Sequence, residues 1–346
     1  MSSLGKLESF PRAHLARTPT PLEAMPSLTK ELGGPSLYVK RDDMTGLAFG
    51  GNKARQLEFY FGEAVTEGAD AALITGAVQS NFVRSVAAAA AKLGMSCHAQ
   101  LEERVPDTDF AHRNSGNVLL DKLLGAIIYN YDEGEDEAGA DRRLREIADG
   151  LKAEGKTPYI IPLMPGHPPL GALGYVVAAQ EILDDLEQQN LQIDEIFVAS
   201  GSTSTHAGLV FGLRALGSKI AVMGVCVRRT REEQFPRVKN RCQEIAELLE
   251  CDNPVSDADI LCMDDTLAPG YGQLNSKALE ALRLAASKEG LILDPVYTGK
   301  VMAGMVHRIR DGAYASDSNV LFLHTGGHPA LFAYETELTK ALDGNT

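Results

Sequence analysis

No apolar run in the 346-residue sequence approaches the ~20 residues that a membrane-spanning helix requires. The N-terminal stretch 'MSSLGKLESFPRAHLARTP' has no apolar core of the kind a signal peptide carries. Cysteine is sparse and unpaired. Cys97, Cys226, Cys242, Cys251 and Cys262 are odd in number and show no C-x-x-C spacing. That pattern argues against a zinc site and against a disulfide framework, and it points to the reducing cytoplasm. Basic residues are also in deficit, leaving a net charge of −14. Nucleic acid is a poor partner for such a chain, because phosphate binding needs clustered Lys and Arg. A small anionic substrate would have to be held by local dipoles rather than by the overall field. Internal repeats and low-complexity segments are absent as well.

The chain has an ordinary globular composition, 44% apolar and 23% charged. Its length leaves one large domain or two open. Short apolar runs alternate with longer helical patterns. The candidate strands are 'ALIT' (Ala72–Thr75), 'SCHAQLE' (Ser96–Glu102), 'AIIYNY' (Ala126–Tyr131), 'YIIPL' (Tyr159–Leu163), 'IFVAS' (Ile196–Ser200), 'AVMGVCV' (Ala221–Val227) and 'VLFLH' (Val320–His324). Between them lie amphipathic segments such as 'YVVAAQEILDDLEQ', many of them ending in Gly. This alternation reads as an α/β fold with parallel sheets covered on both faces. The acidic stretch 'DEGEDEAGADRR' is expected to be a solvated loop entering a helix.

Ligands of open α/β sheets bind where strand ends meet helix N-termini, and several such junctions carry unusual chemistry. In 'GGNKARQLEF', Gly50 and Gly51 allow close approach of backbone to ligand, and Lys53 falls in the first helical turn. There the helix dipole disfavours a cation and favours the neutral amine that a Schiff base requires. 'GAVQSNFVR' places Gln79, Ser80 and Asn81 at a strand–helix junction where one cap would suffice. In 'ASGSTSTHAG', the loop of Ser202, Thr203, Ser204 and Thr205 at a helix N-terminus suits a phosphate monoester. Tyr297 in 'LDPVYTGK' can face a planar ligand, Tyr271 sits on the glycine loop 'APGYG', and 'HTGG' ends a strand with Thr325. Each feature also has a plainer structural reading: a surface lysine, an N-cap, a core or exposed tyrosine, a βα turn. Together they supply an amine, a phosphate cradle, a stacking ring and a polar turn, which is the set that pyridoxal 5′-phosphate (PLP) needs.

These segments, with 'VKRDDMTGLAF', 'GNVLLD' and 'GALGY', resemble the D-cysteine desulfhydrase and 1-aminocyclopropane-1-carboxylate deaminase family of fold type II (tryptophan synthase β-like) PLP enzymes. The resemblance runs over nearly the whole chain. It implies a two-domain, three-layer αβα architecture with mostly parallel sheets. Residues 1–52 with 163–346 would form the large PLP-binding domain and 53–162 the small one. By the same resemblance Lys53 would be the Schiff-base lysine, Asn81 would meet the cofactor's phenolic oxygen, and Ser202–Thr205 would hold its phosphate. Tyr297 would lie against the ring and Thr325 would face the ring nitrogen. Ser80 and nearby amides would bind the substrate carboxylate, Gln79 would support that turn on the substrate side, and Ser80 or Tyr271 would assist proton transfer. A homodimer is implied too.

The deaminase branch is expected to carry Glu directly after the stacking tyrosine, whereas this chain has Thr298. With a hydroxyl at the ring nitrogen the ring stays largely neutral, which suffices for β-elimination and disfavours cyclopropane opening. The chain also departs from the family at Phe82, commonly His, and at His167 and His328, at loops expected to face the cofactor. These changes suggest a pocket shaped for an anionic or larger β-substituent. The expected function is therefore D-cysteine desulfhydrase-like elimination from a small amino acid, giving pyruvate, ammonia and the leaving group. The alternatives are sulfite release from L-cysteate, 1-aminocyclopropane-1-carboxylate deamination, a serine-like dehydratase or racemase, and a silent binding protein that kept the fold.

Overall fold

The computed structural model describes residues 4–162 and 167–344. Among these, ten strands are present: β1 (Leu22–Ala24), β2 (Ser36–Lys40), β3 (Ala71–Ala77), β4 (Ser96–Glu102), β5 (Ile127–Tyr131), β6 (Pro158–Ile160), β7 (Glu195–Ser200), β8 (Ala221–Cys226), β9 (Leu261–Met263) and β10 (Asn319–Leu323). They form a six-stranded sheet, β1-β2-β10-β7-β8-β9, and a four-stranded sheet, β5-β4-β3-β6. Every pairing is parallel except that of β1 with β2, an antiparallel edge. All seven strands expected from the sequence are present, although Leu163 of 'YIIPL' lies outside the described residues. The unexpected strands β1, β2 and β9 are only three to five residues long, and two of them carry a charged residue.

Period-two alternation explains why both faces of the large sheet are covered. Val320 and Phe322 of β10 and Phe197 of β7 enter one apolar cluster, with Val301, Met302 and Met305 of the helix Thr298–Arg310. Leu321 and Leu323, with Ile196 and Val198, enter the opposite cluster, built on the helices Leu170–Gln188 and Ser204–Ala215. The small sheet does the same. Ala72 and Ile74 pack with Phe59, Val83 and Val86, while Ala71 and Leu73 pack with Leu144 and Ile147 of the helix Glu137–Ala153. The architecture is thus α/β, with helices on both faces of mostly parallel sheets.

A buried ion network crosses the large sheet's outer layer. Arg55, on the helix Asn52–Thr66, donates to both oxygens of Asp42 (2.9 and 2.8 Å) and to both oxygens of Glu181 (2.7 and 2.8 Å). Asp42 also accepts from the hydroxyls of Thr20 (2.8 Å) and Tyr175 (2.5 Å). Lys40, at the end of β2, pairs with Glu181 (2.7 Å) and Asp185 (2.5 Å). Burial pushes the Glu181 carboxyl up, but Arg55 and Lys40 outweigh it and bring it down to about 2. The group therefore contributes stability above its unfolded value of about 4.3 that is lost as pH falls toward 2. Removing one member of such a network leaves buried charges uncompensated. The variant Arg55→Leu is expected to lose about 3–5 kcal/mol of unfolding free energy, read as an earlier midpoint in urea unfolding at neutral pH.

Candidate active site

A cavity of about 130 Å³ is lined from the carboxyl ends of strands in both sheets. Thr75 to Ala77 come from β3, Glu102 from the end of β4, Ala199 from β7, Val227 from just beyond β8 and Thr325 from beyond β10. This is the crevice that open parallel sheets offer.

Lys53 enters it from the first turn of the helix Asn52–Thr66. Its amine lies 5.0 Å from the centre of the Phe82 ring and 3.5 Å from Gln56 Oε1, and no carboxylate among the described residues is paired to it. Desolvation lowers its pKa to about 8. The direction matches the sequence expectation, and the cause is burial beside an apolar ring. Gly50 and Gly51 precede it. A Cβ on Gly51 (φ +111°) would meet the Thr325 carbonyl oxygen at 3.0 Å, and one on Gly326 (φ +88°) would meet Gly51 Cα at 2.7 Å. These glycines allow two loops to lie backbone against backbone, where the sequence suggested approach to a ligand. The Asn52 N–H donates to the Thr325 carbonyl across that contact (3.0 Å).

The polar turn divides its labour. Ser80 caps the helix Asn81–Leu93, its Oγ accepting from the Val83 N–H (3.2 Å), and still lines the cavity, its hydroxyl proton meeting no acceptor among the described residues. Asn81 Oδ1 accepts from Arg84 and from Asn117 (both 3.0 Å), which turns the NH₂ end of that amide into the cavity. Gln79 does not line the cavity, so its expected place on the substrate side is corrected. Its NH₂ donates to the carbonyls of His112 (2.6 Å) and Ser115 (3.0 Å), and its oxygen accepts from the Asn117 N–H (2.9 Å), so it is scaffold.

In the Ser/Thr loop, Ser202, Thr203 and Thr205 line the cavity, with Thr203 held at φ +71°. Thr205 Oγ1 accepts from both Asn52 (2.8 Å) and Gln56 (2.8 Å), which ties the loop to the helix of Lys53 and leaves its proton to donate. The amides of the first turn of the helix Ser204–Ala215 have no intrahelical acceptor. Ser204 itself turns away, into a small adjoining cavity shared with His167, Arg241 and the far side of Phe82. His167 thus borders that space and not the main cavity, and residues 163–166 of its turn lie outside the described residues. His328 also misses the main cavity. It starts the helix His328–Ala333 with its Nε2 3.9 Å from Asp43, beside His324. His324 has both nitrogens engaged, by the Ile292 carbonyl (3.0 Å) and the Gly326 N–H (3.2 Å), so this Asp–His–His group is built for packing.

Tyr271 and Tyr297 meet in the cavity with their hydroxyls 2.6 Å apart and their rings edge to face. Tyr297 is held by its N–H to Asp294 (2.7 Å), whose carboxyl burial pushes up to about 7. Lys300, donating to the carbonyls of Leu267 (3.0 Å) and Gly270 (2.6 Å), holds the loop of Tyr271. Tyr271 therefore lines the cavity although it sits on a glycine loop. Thr298 is fully buried, with its hydroxyl accepting from the Asp294 N–H (2.8 Å), and Thr325 lines the cavity.

Four arginines were missed by sequence reading. Arg104, bonded to Glu102 (2.8 and 2.7 Å), and Arg228, Arg229 and Arg237 around Glu137 all line the cavity. Glu137 belongs to the stretch expected to be solvated; instead burial pushes its carboxyl up, and the guanidinium groups of Arg228, Arg229, Arg237 and Arg104 outweigh that and hold it below the usual carboxylate range. The signal was available, since 'LEER' and 'VRR' both sit at strand carboxyl ends.

An amine poised near neutrality, a helix N-terminus ringed by hydroxyls and an outward carboxamide donor define a site for an aldehyde-bearing phosphate ester. The chain belongs to the pyridoxal-phosphate dependent enzyme family, which matches residues 14–326. Its cofactor is accordingly PLP. It is 44% identical over 336 residues to a D-cysteine desulfhydrase from Klebsiella pneumoniae, covering 97% of this chain and 100% of the relative. The crystal structure of an ACC deaminase homologue superposes with a TM-score of 0.85 at 38% identity, over 96% of this chain and 97% of that one. A fungal L-serine ammonia-lyase from Rhizomucor miehei shares the fold at a TM-score of 0.64 and 19% identity, over 94% of this chain and 99% of that one.

The residues fit the cofactor. The amides at the start of the helix Ser204–Ala215 and the hydroxyls of Ser202 and Thr205 match a phosphate, the Asn81 NH₂ matches a phenolic oxygen, and Lys53 matches an aldehyde; the Thr203 hydroxyl is engaged by the Ser202 carbonyl (2.6 Å) and by Arg241 (3.3 Å). Because the Lys53 amine is lowered to about 8, its free-base fraction grows well below the pH at which an ordinary lysine (about 10.4) deprotonates. In cofactor-free protein, Lys53 is expected to be acylated by a small amine-directed reagent with a pH midpoint near 8, while exposed lysines lag. Peptide mass spectrometry across a pH series reads this directly.

Proposed function

We propose that this protein is a PLP-dependent lyase that eliminates the β-substituent of a small amino acid. The observation that carries the reading is Lys53, a half-buried residue whose amine has no carboxylate partner among the described residues, facing a hydroxyl pair and a helix N-terminus in one cavity. When bound, PLP supplies the electron withdrawal that makes the substrate's Cα–H bond acidic. Lys53, near neutrality, takes the Cα proton. The Ser80 hydroxyl and the first amides of the helix Asn81–Leu93 hold the substrate carboxylate. Tyr271, coupled to Tyr297 at 2.6 Å, delivers a proton to the departing group. Asn81, Ser202, Thr203, Thr205, Tyr297 and Thr325 hold the cofactor. For D-cysteine, the substrate named by the 44% identical relative, addition of water balances the products as pyruvate, ammonia and hydrogen sulfide. The carboxylates that line the cavity, Glu102 and Glu137, are tied to arginines, and Thr298 is bonded to Asp294. A hydroxyl at the ring nitrogen accords with elimination better than with ring opening.

A second reading rests on the arginines. Four of them line the cavity against two carboxylates, an excess of positive charge that favours an anionic β-substituent such as the sulfonate of L-cysteate. A panel of D-cysteine, 3-chloro-D-alanine, L-cysteate and 1-aminocyclopropane-1-carboxylate, scored for keto acid, decides between them. Pyruvate with sulfide from D-cysteine supports the first reading, pyruvate with sulfite from L-cysteate the second. In the second case Arg229→Gln should cut kcat/KM for cysteate by about tenfold or more, with chloroalanine little affected. Exclusive 2-oxobutyrate from the cyclopropane substrate overturns both, and Lys53→Ala should abolish pyruvate from every substrate.

The chain order of the strands supports a small domain over residues 53–162 and a large one over 1–52 and 163–346. Five free cysteines accord with a cytoplasmic setting. Among the described residues no helix is long and apolar enough to cross a membrane. Phe110, Leu119, Leu123 and Phe332 are exposed on three helices that pack together, an apolar face suited to a second copy of the chain. Sedimentation velocity should give a dimer, and Leu123→Glu with Phe332→Glu should shift it to monomer.

A further inference from the structure

Arg84 does not line the cavity, yet its contacts organise one wall of it. The side chain is buried, 1% exposed, in the helix Asn81–Leu93. One terminal nitrogen donates to Asn81 Oδ1 (3.0 Å) and Asn117 Oδ1 (2.9 Å), the other to the Gly50 carbonyl (2.9 Å). Asn117 in turn donates to Asn81 Oδ1 (3.0 Å) and to the Gln79 carbonyl (3.0 Å). Two donors on Asn81 Oδ1 decide which end of that amide meets the cavity, because a flipped amide would set NH₂ against guanidinium. Through Gly50, the same guanidinium grips the loop that leads into Lys53.

We propose that Arg84 is a positioning residue: it holds the Asn81 NH₂ toward the cofactor and locks it in one frame with the loop that carries Lys53. The proposal rests on the reading that Asn81 faces the phenolic oxygen of PLP. A hydrogen bond donated to that oxygen draws off its negative charge and weakens its hold on the neighbouring proton. The visible absorbance of the bound cofactor then titrates at lower pH than it would without the donor. The titratable groups that act on Arg84 are Asp121, from the helix Gly116–Leu123, and His328. Both stay in place in the variants below.

The test is the pH midpoint of that absorbance in the loaded holoenzyme, with circular dichroism to confirm folding. Arg84→Met should raise the midpoint by about one unit, a tenfold change in proton affinity, and Arg84→Lys should recover part of it. If the Met variant does not fold, Asn117→Leu, which removes the second donor to Asn81, should give a smaller shift in the same direction. A folded Arg84→Met or Asn117→Leu variant whose midpoint stays within about 0.2 unit of the parent overturns the proposal. Asn81→Ala separates the two layers. If it shifts the midpoint while Arg84→Met does not, only the role of Arg84 falls. If Asn81→Ala leaves the midpoint unmoved, the placement of Asn81 falls and the proposal with it.

Discussion

The Arg55 guanidinium, clamped between Asp42 and Glu181, is the interaction on which the site depends. It joins the turn after β2, the helix that carries Lys53 and the helix Leu170–Gln188, and a buried cation with four short bonds tolerates little displacement. Two residues earlier on the same helix, Lys53 points elsewhere, because a step of two residues turns a helix by about 200°. Arg55 meets two carboxylates there and stays charged; Lys53 meets a phenylalanine ring and is pushed toward neutrality. One turn of helix thus carries a structural cation and a chemical base, separated only by what each face packs against.

The cavity wall is built so that few groups touching it are free to turn. Thr205 has its oxygen taken by two amides, Asn81 by Arg84 and Asn117, and Ser80 by a backbone N–H. Each is left with its donor end facing inward. A site that must receive a phosphate, a phenolic oxygen and a carboxylate needs donors, and saturating the acceptors from behind is how the scaffold supplies them. Gln79 belongs to that backing layer.

The chain is acidic as a whole, yet the cavity carries an excess of arginine. Local geometry reverses the global field: Glu137 is pulled out of an acidic loop to meet Arg228 and Arg229, joining a helix packed on the small sheet to the loop beyond β8 of the large one. Fields fall off within about 10 Å at moderate salt, so net charge spread over the surface does not set the potential in a crevice.

Much of the fold was legible because its signals are local. Seven apolar strands alternating with amphipathic helices specify parallel α/β packing whatever their partners, and motifs such as 'GGNKARQLEF' and 'ASGSTSTHAG' announce helix N-termini by composition. Short strands such as 'LEA' and 'LCM' carry too few residues to register, since pairing rather than propensity creates them. Lys53, Asn81, Thr205 and Tyr297, which line the cavity, were readable because each sits at the start of a helix. Gln79, Ser204, His167 and His328 were misplaced, since which way a junction residue turns depends on its bonding partners. Gln79 found His112, Ser115 and Asn117, all more than thirty residues away. Local pattern along the chain was enough for the order of elements and the chemistry on offer. Which groups point inward, which arginines meet which glutamates and that Lys53 meets a phenylalanine ring instead of a carboxylate came from the folded chain, because burial and pairing arise from residues brought together from distant parts of it.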